Sequence, residues 1–170
     1  MSERSKEIFL GICIIVPFLV YCGYYYSIMF KNAPYRYSDF QNIELVYGEG
    51  NDLANRYDTS TGEFYYYNAQ DSLILDTVKL RDDDLLYLHR KAVELGFWNL
   101  PEDMTNPLND ADSLQNNANA VPRFILTYNY KEKSKQVTFD ANFEGNPKMI
   151  EAARSVIDEV RRVISDAKDR

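Results

Sequence analysis

A chain of 170 residues with 19 basic and 26 acidic side chains, net charge −7, repels phosphate backbones and anionic headgroups, which disfavours nucleic acid as a partner. Arg4 and Lys6 cancel Glu3 and Glu7, so the whole acidic excess lies beyond residue 7. Both cysteines, Cys13 and Cys22, fall in one apolar run near the amino end, so the rest of the chain has no disulfide, thiol nucleophile or cysteine-ligated metal.

Residues 1–7 read as a short tail. Ile8 to Phe30 is uncharged and mostly apolar, bounded by Glu7 and Lys31, and a helix rising ~1.5 Å per residue over that length crosses a hydrocarbon core of about 30 Å. The run therefore predicts a transmembrane anchor at 8–30, with the lipid bilayer as its partner. Tyr21, Tyr24, Tyr25 and Tyr26, followed by Tyr35 and Tyr37, mark the carboxy-terminal interface. A cleaved signal peptide would use Arg4 and Lys6 with Ile8 to Val20, but no small-x-small cleavage site comes after it. A lipoprotein signal would lipidate Cys22, but Tyr21 stands where such signals carry a small side chain. A short basic tail before an early apolar segment has the pattern of a signal anchor, which leaves the tail in the cytoplasm and exports the domain across the cell membrane.

Residues 31–41 form a connector interrupted by Pro34 and Ser38. The remainder, 42–170, has the length of one ordinary domain. Asn42 to Tyr47 alternates, with Ile43, Leu45 and Tyr47 on one face of a strand that Gly48 and Gly50 should end. Arg56 to Thr59 and Glu63 to Tyr67 flank Ser60, Thr61 and Gly62 as a tight hairpin. The run Phe64, Tyr65, Tyr66, Tyr67 makes both faces of its strand aromatic, one packed inward and the other facing a partner, another element or water. Ser72 to Leu80 is a further strand.

Asp82, Asp83 and Asp84 precede a helix over Leu85 to Leu95. Three adjacent carboxylates invite a metal or catalytic reading, but an aspartate at this place accepts first-turn amides and complements the helix dipole, and capping is the better account. Leu85, Leu88, His89, Ala92 and Val93 form its buried stripe, and Gly96 suits a left-handed stop. His89 is the single histidine and sits on or beside that stripe, as a satisfied core histidine does. Phe97, Trp98 and Leu100 fold back as a plug over the sheet edge or, if exposed, offer a protein-binding cluster.

The stretch 102–121 is polar, asparagine-rich and without a period, the pattern of a disordered or partner-binding loop. Asp110 and Asp112 start like a calcium loop, but Leu114 takes the next ligand position and no acid closes it. Simple metal binding by these acids would raise the melting temperature when calcium is added. Arg123 to Tyr130 and Gln136 to Asp140 form a second hairpin, whose Lys131, Lys133 and Lys135 predict a solvated tip. Asn146 caps and Pro147 opens a final helix with Met149, Ile150, Ala153, Val156, Ile157, Val160 and Ile164 at helical spacing. That stripe docks on its own sheet or zips to a partner helix.

The order of elements predicts an α+β domain, a mostly antiparallel sheet with two helices on one face, preceded by one transmembrane helix. The run KLRDDDLLYLHRKAVELGFWNLPED, then VPRFILTYNYKEKSKQVTFDA, then the amphipathic last helix, resembles uncharacterised domains of small bacterial envelope proteins and lipoproteins over about residues 43–164. The resemblance implies an envelope location and brings no catalytic residues. No glycine-rich phosphate cradle and no GxSxG elbow is present, so no cofactor, metal or catalytic residue is assigned. The expectation is a membrane-anchored, non-enzymatic interaction or structural module of the cell envelope, with Tyr65, Tyr66, Tyr67, Phe97 and Trp98 as candidate interaction surface and another envelope protein, or a second copy in a homo-oligomer, as partner. The alternative is an extracytoplasmic hydrolase or carbohydrate-binding domain using Asp82 to Asp84, His89 or the loop acids, with Tyr65 to Tyr67 or Trp98 stacking on sugar rings. That alternative requires those groups to converge in one cleft.

Overall fold

The computed structural model describes residues 3–32, 35–50, 52–68, 70, 72–106 and 121–170, with side chains in the first helix described at Phe9 and over 11–27. Two units divide the chain, Met1–Arg36 and Tyr37–Arg170. The first is a helix, α1 (Glu3–Asn32), with Pro17 inside it. Its described apolar side chains stand exposed all round, among them Ile12, Ile15, Phe18, Val20, Tyr24 and Tyr25, so among the described side chains no polar face is given to water. Among the described residues no helix is long and apolar enough to cross a membrane.

The second unit is α+β. In chain order it contains β1 (Phe40–Glu49), β2 (Asp52–Asp58), β3 (Glu63–Tyr67), β4 (Leu73–Thr77), α2 (Asp82–Glu94), β5 (Asp103–Met104), β6 (Pro122–Tyr130), β7 (Ser134–Asp140) and α3 (Pro147–Lys168). The described strands make one seven-stranded sheet in the order β4-β3-β2-β1-β6-β7-β5, antiparallel throughout except where β5 runs parallel to β7.

The inner face is set by alternation and register. Ile43 lies opposite Tyr128 and Leu45 opposite Leu126, Leu126 opposite Val137 and Phe124 opposite Phe139. All but Phe124 are fully buried. Both helices cover this face. From α3 come Ala153, Val156, Ile157, Val160, Val163 and Ile164, and from α2 come Leu88, His89 and Ala92. Polar contacts hold the helices in register with the sheet. Arg161 lies over the rings of Tyr47 and Phe124, Lys168 bonds Asp76 at 2.9 Å and Tyr66 at 3.1 Å, and Tyr87 donates to Glu159 at 3.0 Å to link α2 with α3. The stripe of α3 thus docks on its own sheet, started by Asn146, whose side chain accepts the Lys148 amide at 3.0 Å.

Several local expectations are corrected. β1 begins at Phe40 rather than Asn42, and its register slips between those residues and again between Tyr47 and Glu49. A slip breaks strict alternation, so the flanking residues do not read as strand. Gly48 lies inside β1 rather than ending it; a Cβ there would run into the Asp52 carbonyl. The helix α2 starts at Asp82, and the reach-back contact at its start is made by Asp84, which accepts the Arg81 amide at 3.0 Å and is bound by Arg170 from the end of the chain. Val93 is 52% exposed, because α2 turns only one narrow stripe to the sheet. Lys135 is no part of a solvated tip. It is buried, and its Nζ donates to the Leu100 carbonyl at 2.6 Å, since Lys135 takes the inner side of β7 in step with Val137 and Phe139. Within 102–121, Asp103 and Met104 form β5, too short to carry a period. Asp110, Asp112 and Leu114 lie outside the described residues.

Candidate functional site

Covering one face of a sheet leaves the other to solvent, and here the open face carries the densest set of unabsorbed functional groups. Register places them in rows. Val46 lies opposite Arg56, Arg56 opposite Tyr65, and Tyr65 opposite Leu75. On either side, Glu63 faces Thr77 and Tyr67 faces Leu73. Leu73 and Leu75 are 56% and 57% exposed and Tyr67 46%, so the β3–β4 margin presents an apolar strip to solvent. Tyr65 is half-buried within it.

Inward from the strip the face becomes polar. Glu44 accepts from Asn129 at 2.9 Å and pairs with Arg56 at 3.5 Å. Asp58 accepts from the Asn42 side chain at 3.0 Å and from both the amide and hydroxyl of Ser60 at 2.8 Å, and Tyr65 donates to Glu63 at 3.3 Å. A shallow concavity of about 490 Å³ joins the two zones, lined by Leu53, Ala54, Arg56, Asp58, Thr61, Glu63, Tyr65 and Leu73. Partial burial pushes the Asp58 carboxyl up, but the hydrogen bonds from Asn42 and Ser60, with Arg56 nearby, outweigh it and hold the group below the usual carboxylate range. Asp58 is therefore a fixed anionic acceptor at neutral pH, not a proton donor. Asp58 and Glu63 line the concavity against the one guanidinium of Arg56, so its lining is net negative.

The residues expected at an interaction surface part company. Tyr65 and Tyr67 lie on the open face. Tyr66 points the other way, to Lys168 and to the Phe64 ring 5.0 Å off. Phe97 and Trp98 are core residues, 1% and 5% exposed, because the 3-10 turn Phe97–Asn99 that succeeds left-handed Gly96 drives both rings against Tyr128. Among the described residues the groups named for the hydrolase alternative do not share a cleft: His89 and Trp98 are buried together on the inner face, Asp84 is tied to Arg170, and Tyr65 and Tyr67 are across the sheet. Arg56, Asp58 and Glu63 carry no motif that singles them out in the chain; the hairpin register, extended across Gly62, could have paired Arg56 with Tyr65. Among the described residues no group of three or more histidine, cysteine or acidic side chains is placed to hold a metal ion.

His89 has a structural duty. Its Nδ1 and the Tyr130 hydroxyl are 2.8 Å apart, and the rings of Tyr37, Phe40 and Trp98 surround it. Burial, aided by the Arg90 charge, pushes the imidazole below its ordinary value of 6.5. The unfolded chain then takes up a proton near 6.5 while the folded chain does not, so stability is full above that pH and falls as the pH drops below it. His89→Gln is expected to remove this component. Between about pH 7 and 5.5 the urea midpoint of the native chain should fall further than that of the variant; parallel profiles would contradict the assignment. A scan against protein-family models gives no match for this chain, and a search of curated proteins gives none either.

Proposed function

We propose that this protein is a membrane-anchored, non-enzymatic interaction or structural module of the cell envelope. Residues 8–30 hold it in the bilayer as a single-pass signal anchor, and the open sheet face meets another envelope protein outside the cytoplasm. The observation that carries the binding role is the apolar strip of Tyr67, Leu73 and Leu75 beside a net-negative concavity, on a face that no described element covers. The anchor is supported by the unbroken uncharged run Ile8 to Phe30 and by the all-round apolar exposure of α1. The concavity's lining holds carboxylates, a guanidinium and hydroxyls but neither histidine nor cysteine, which favours recognition over chemistry.

The test combines topology and contact. Carboxy-terminal fusion reporters should be active outside the cytoplasm, the full chain should resist alkaline extraction from membranes, and a photo-crosslinker at Leu75 should capture one envelope protein that a crosslinker at exposed Arg90 on α2 does not. A mature chain that begins after the apolar run and stays in the soluble fraction would overturn the anchor. Crosslinks of equal yield at Leu75 and Arg90 would overturn the surface. Carbohydrate binding is the second reading, favoured by the half-buried Tyr65 ring beside Asp58 and Glu63. It predicts that envelope glycans quench tyrosine emission, and that Tyr65→Ala abolishes the effect.

A further inference from the structure

Among the described strands β4 is the outermost on its side of the sheet, and its single charge, Asp76, is turned inward and neutralised by Lys168. Leu73 to Thr77 (LILDT) contains no lysine and no proline, and its pairing with β3 runs without a bulge; these are the devices by which native edges are blunted. The opposite edge, β5, is two residues long with Met104 buried, and offers no comparable template.

Alternation decides which backbone groups of β4 face outward. The Asn68 amide donates to the Ser72 carbonyl at 3.1 Å and the Val78 amide to the Gly62 carbonyl at 2.8 Å. Even-numbered residues of β4 therefore bond to β3, and Leu73, Leu75 and Thr77 direct their amides and carbonyls to the free edge. The Thr77 amide is taken by its neighbour Asp76 at 2.8 Å, which leaves Leu73 and Leu75 as the ladder. The same two residues carry the most exposed large apolar side chains of the open face.

Charge fixes what the incoming segment must look like. On the outer side, Glu63 lies one strand in from Thr77, and Asp58 lines the same concavity. With strands about 4.8 Å apart, an added strand would lie about 10 Å from β3, a gap that an extended lysine or arginine and a glutamate side chain close together. On the inner side β4 presents Asp76, already neutralised by Lys168. A basic side chain meets the Glu63 carboxylate outside and an already paired one inside, so one register is favoured.

We propose that β4 receives a strand from a partner protein, an extended segment with aliphatic side chains facing Leu73 and Leu75 and, two positions from the second, a lysine or arginine facing Thr77 and reaching Glu63. Backbone pairing supplies the affinity and the alternate side chains the selection. This deepens the reading of the open face as a binding surface and rests on it.

The experiment uses the full chain in detergent micelles and a capped synthetic peptide with arginine followed by valine at every second position, separated by threonine. Hydrogen exchange at the Leu73 and Leu75 amides is expected to slow on adding the peptide. A glutamate-for-arginine analogue should bind about tenfold or more weakly, and Glu63→Gln, on an exposed side chain, should erase most of that preference without unfolding the domain. Unchanged exchange at Leu73 and Leu75 overturns strand addition, and equal binding of the two peptides overturns the charge selection. Protection that grows with protein concentration in the absence of peptide assigns the edge to a second copy and also overturns the proposal. If Leu75 crosslinks to an envelope protein while exchange at the edge is unmoved, strand addition fails and the open-face reading stands. Loss of both defeats both.

Discussion

Replacing Phe97 with alanine is expected to remove about 3–5 kcal/mol of folding stability. The ring is 1% exposed, with its centroid 5.0 Å from Tyr128 and 5.3 Å from Trp98. Truncation deletes the ring's transfer energy and leaves a cavity walled by large aromatic groups that cannot collapse into it. Against a net stability of roughly 5–15 kcal/mol for a domain of this size, the variant should be marginal at room temperature. Trp98 is the single tryptophan of the chain and abuts the substituted ring, so urea unfolding followed by its emission reads the change directly. A shift below about 1 kcal/mol with an unaltered emission maximum would mean that the turn Phe97–Asn99 does not pack into the core.

The next largest effect is expected at Asp140. Its two carboxylate oxygens accept from Arg123 Nε at 2.7 Å and Nη2 at 3.0 Å, a fork-on-fork pair bridging β6 and β7 where Arg123 and Asp140 are register partners. The side chains are 24% and 9% exposed. The hydrogen bonds that Arg123 donates to Asp140 raise the Arg123 pKa against the opposing effect of burial. Asp140→Ala deletes both bonds and takes the directly bonded carboxylate from a largely covered guanidinium, which keeps the Asp103 charge nearby. A fully buried pair broken this way loses about 3–5 kcal/mol; because the arginine keeps some water, about 2–3 kcal/mol is expected here. Asp140→Asn, which retains one acceptor, should cost about half as much. Denaturant midpoints at low and high salt give the check. A loss that vanishes at about 1 M salt would mark the pair as an ordinary surface contact.

Much of the second unit was legible residue by residue. Asn146, Pro147 and the stripe from Ile150 to Ile164 specify α3 by themselves, because a cap, a φ-locked first residue and a 3.6 period are all local signals. Gly62 and Gly96 likewise mark their turns, with φ of 76° and 72°. Where local signals fell short, a distant element had intervened. Lys135 reads as solvated until Leu100, 35 residues earlier in the chain, supplies a carbonyl for its ammonium. Val93 reads as core until α2 is seen to use only part of its apolar arc.

The candidate site was the least legible part. The network that organises the open face joins Asn42 to Asp58 across 16 residues and Glu44 to Asn129 across 85, and no spacing in the chain announces that three strands will carry those groups to one surface. Alternation in Phe64 to Tyr67 foretells that two tyrosines will oppose two other rings, but nothing local says which pair will be covered.

The sequence by itself determined the uncharged run at the amino end, the helices, the hairpin turns and the strands other than β5 in the acidic remainder, though not all their bounds, and the two-sided aromatic strand, since each depends on residues within a few positions of one another. The tertiary structure alone decided that Phe97 and Trp98 go inside, that Tyr66 parts from Tyr65 and Tyr67, and that β4 is outermost among the described strands on its side of the sheet. A side chain's direction follows from its own backbone, whereas its burial depends on helices that return to the sheet from as much as 100 residues away, as Lys168 does to Tyr66.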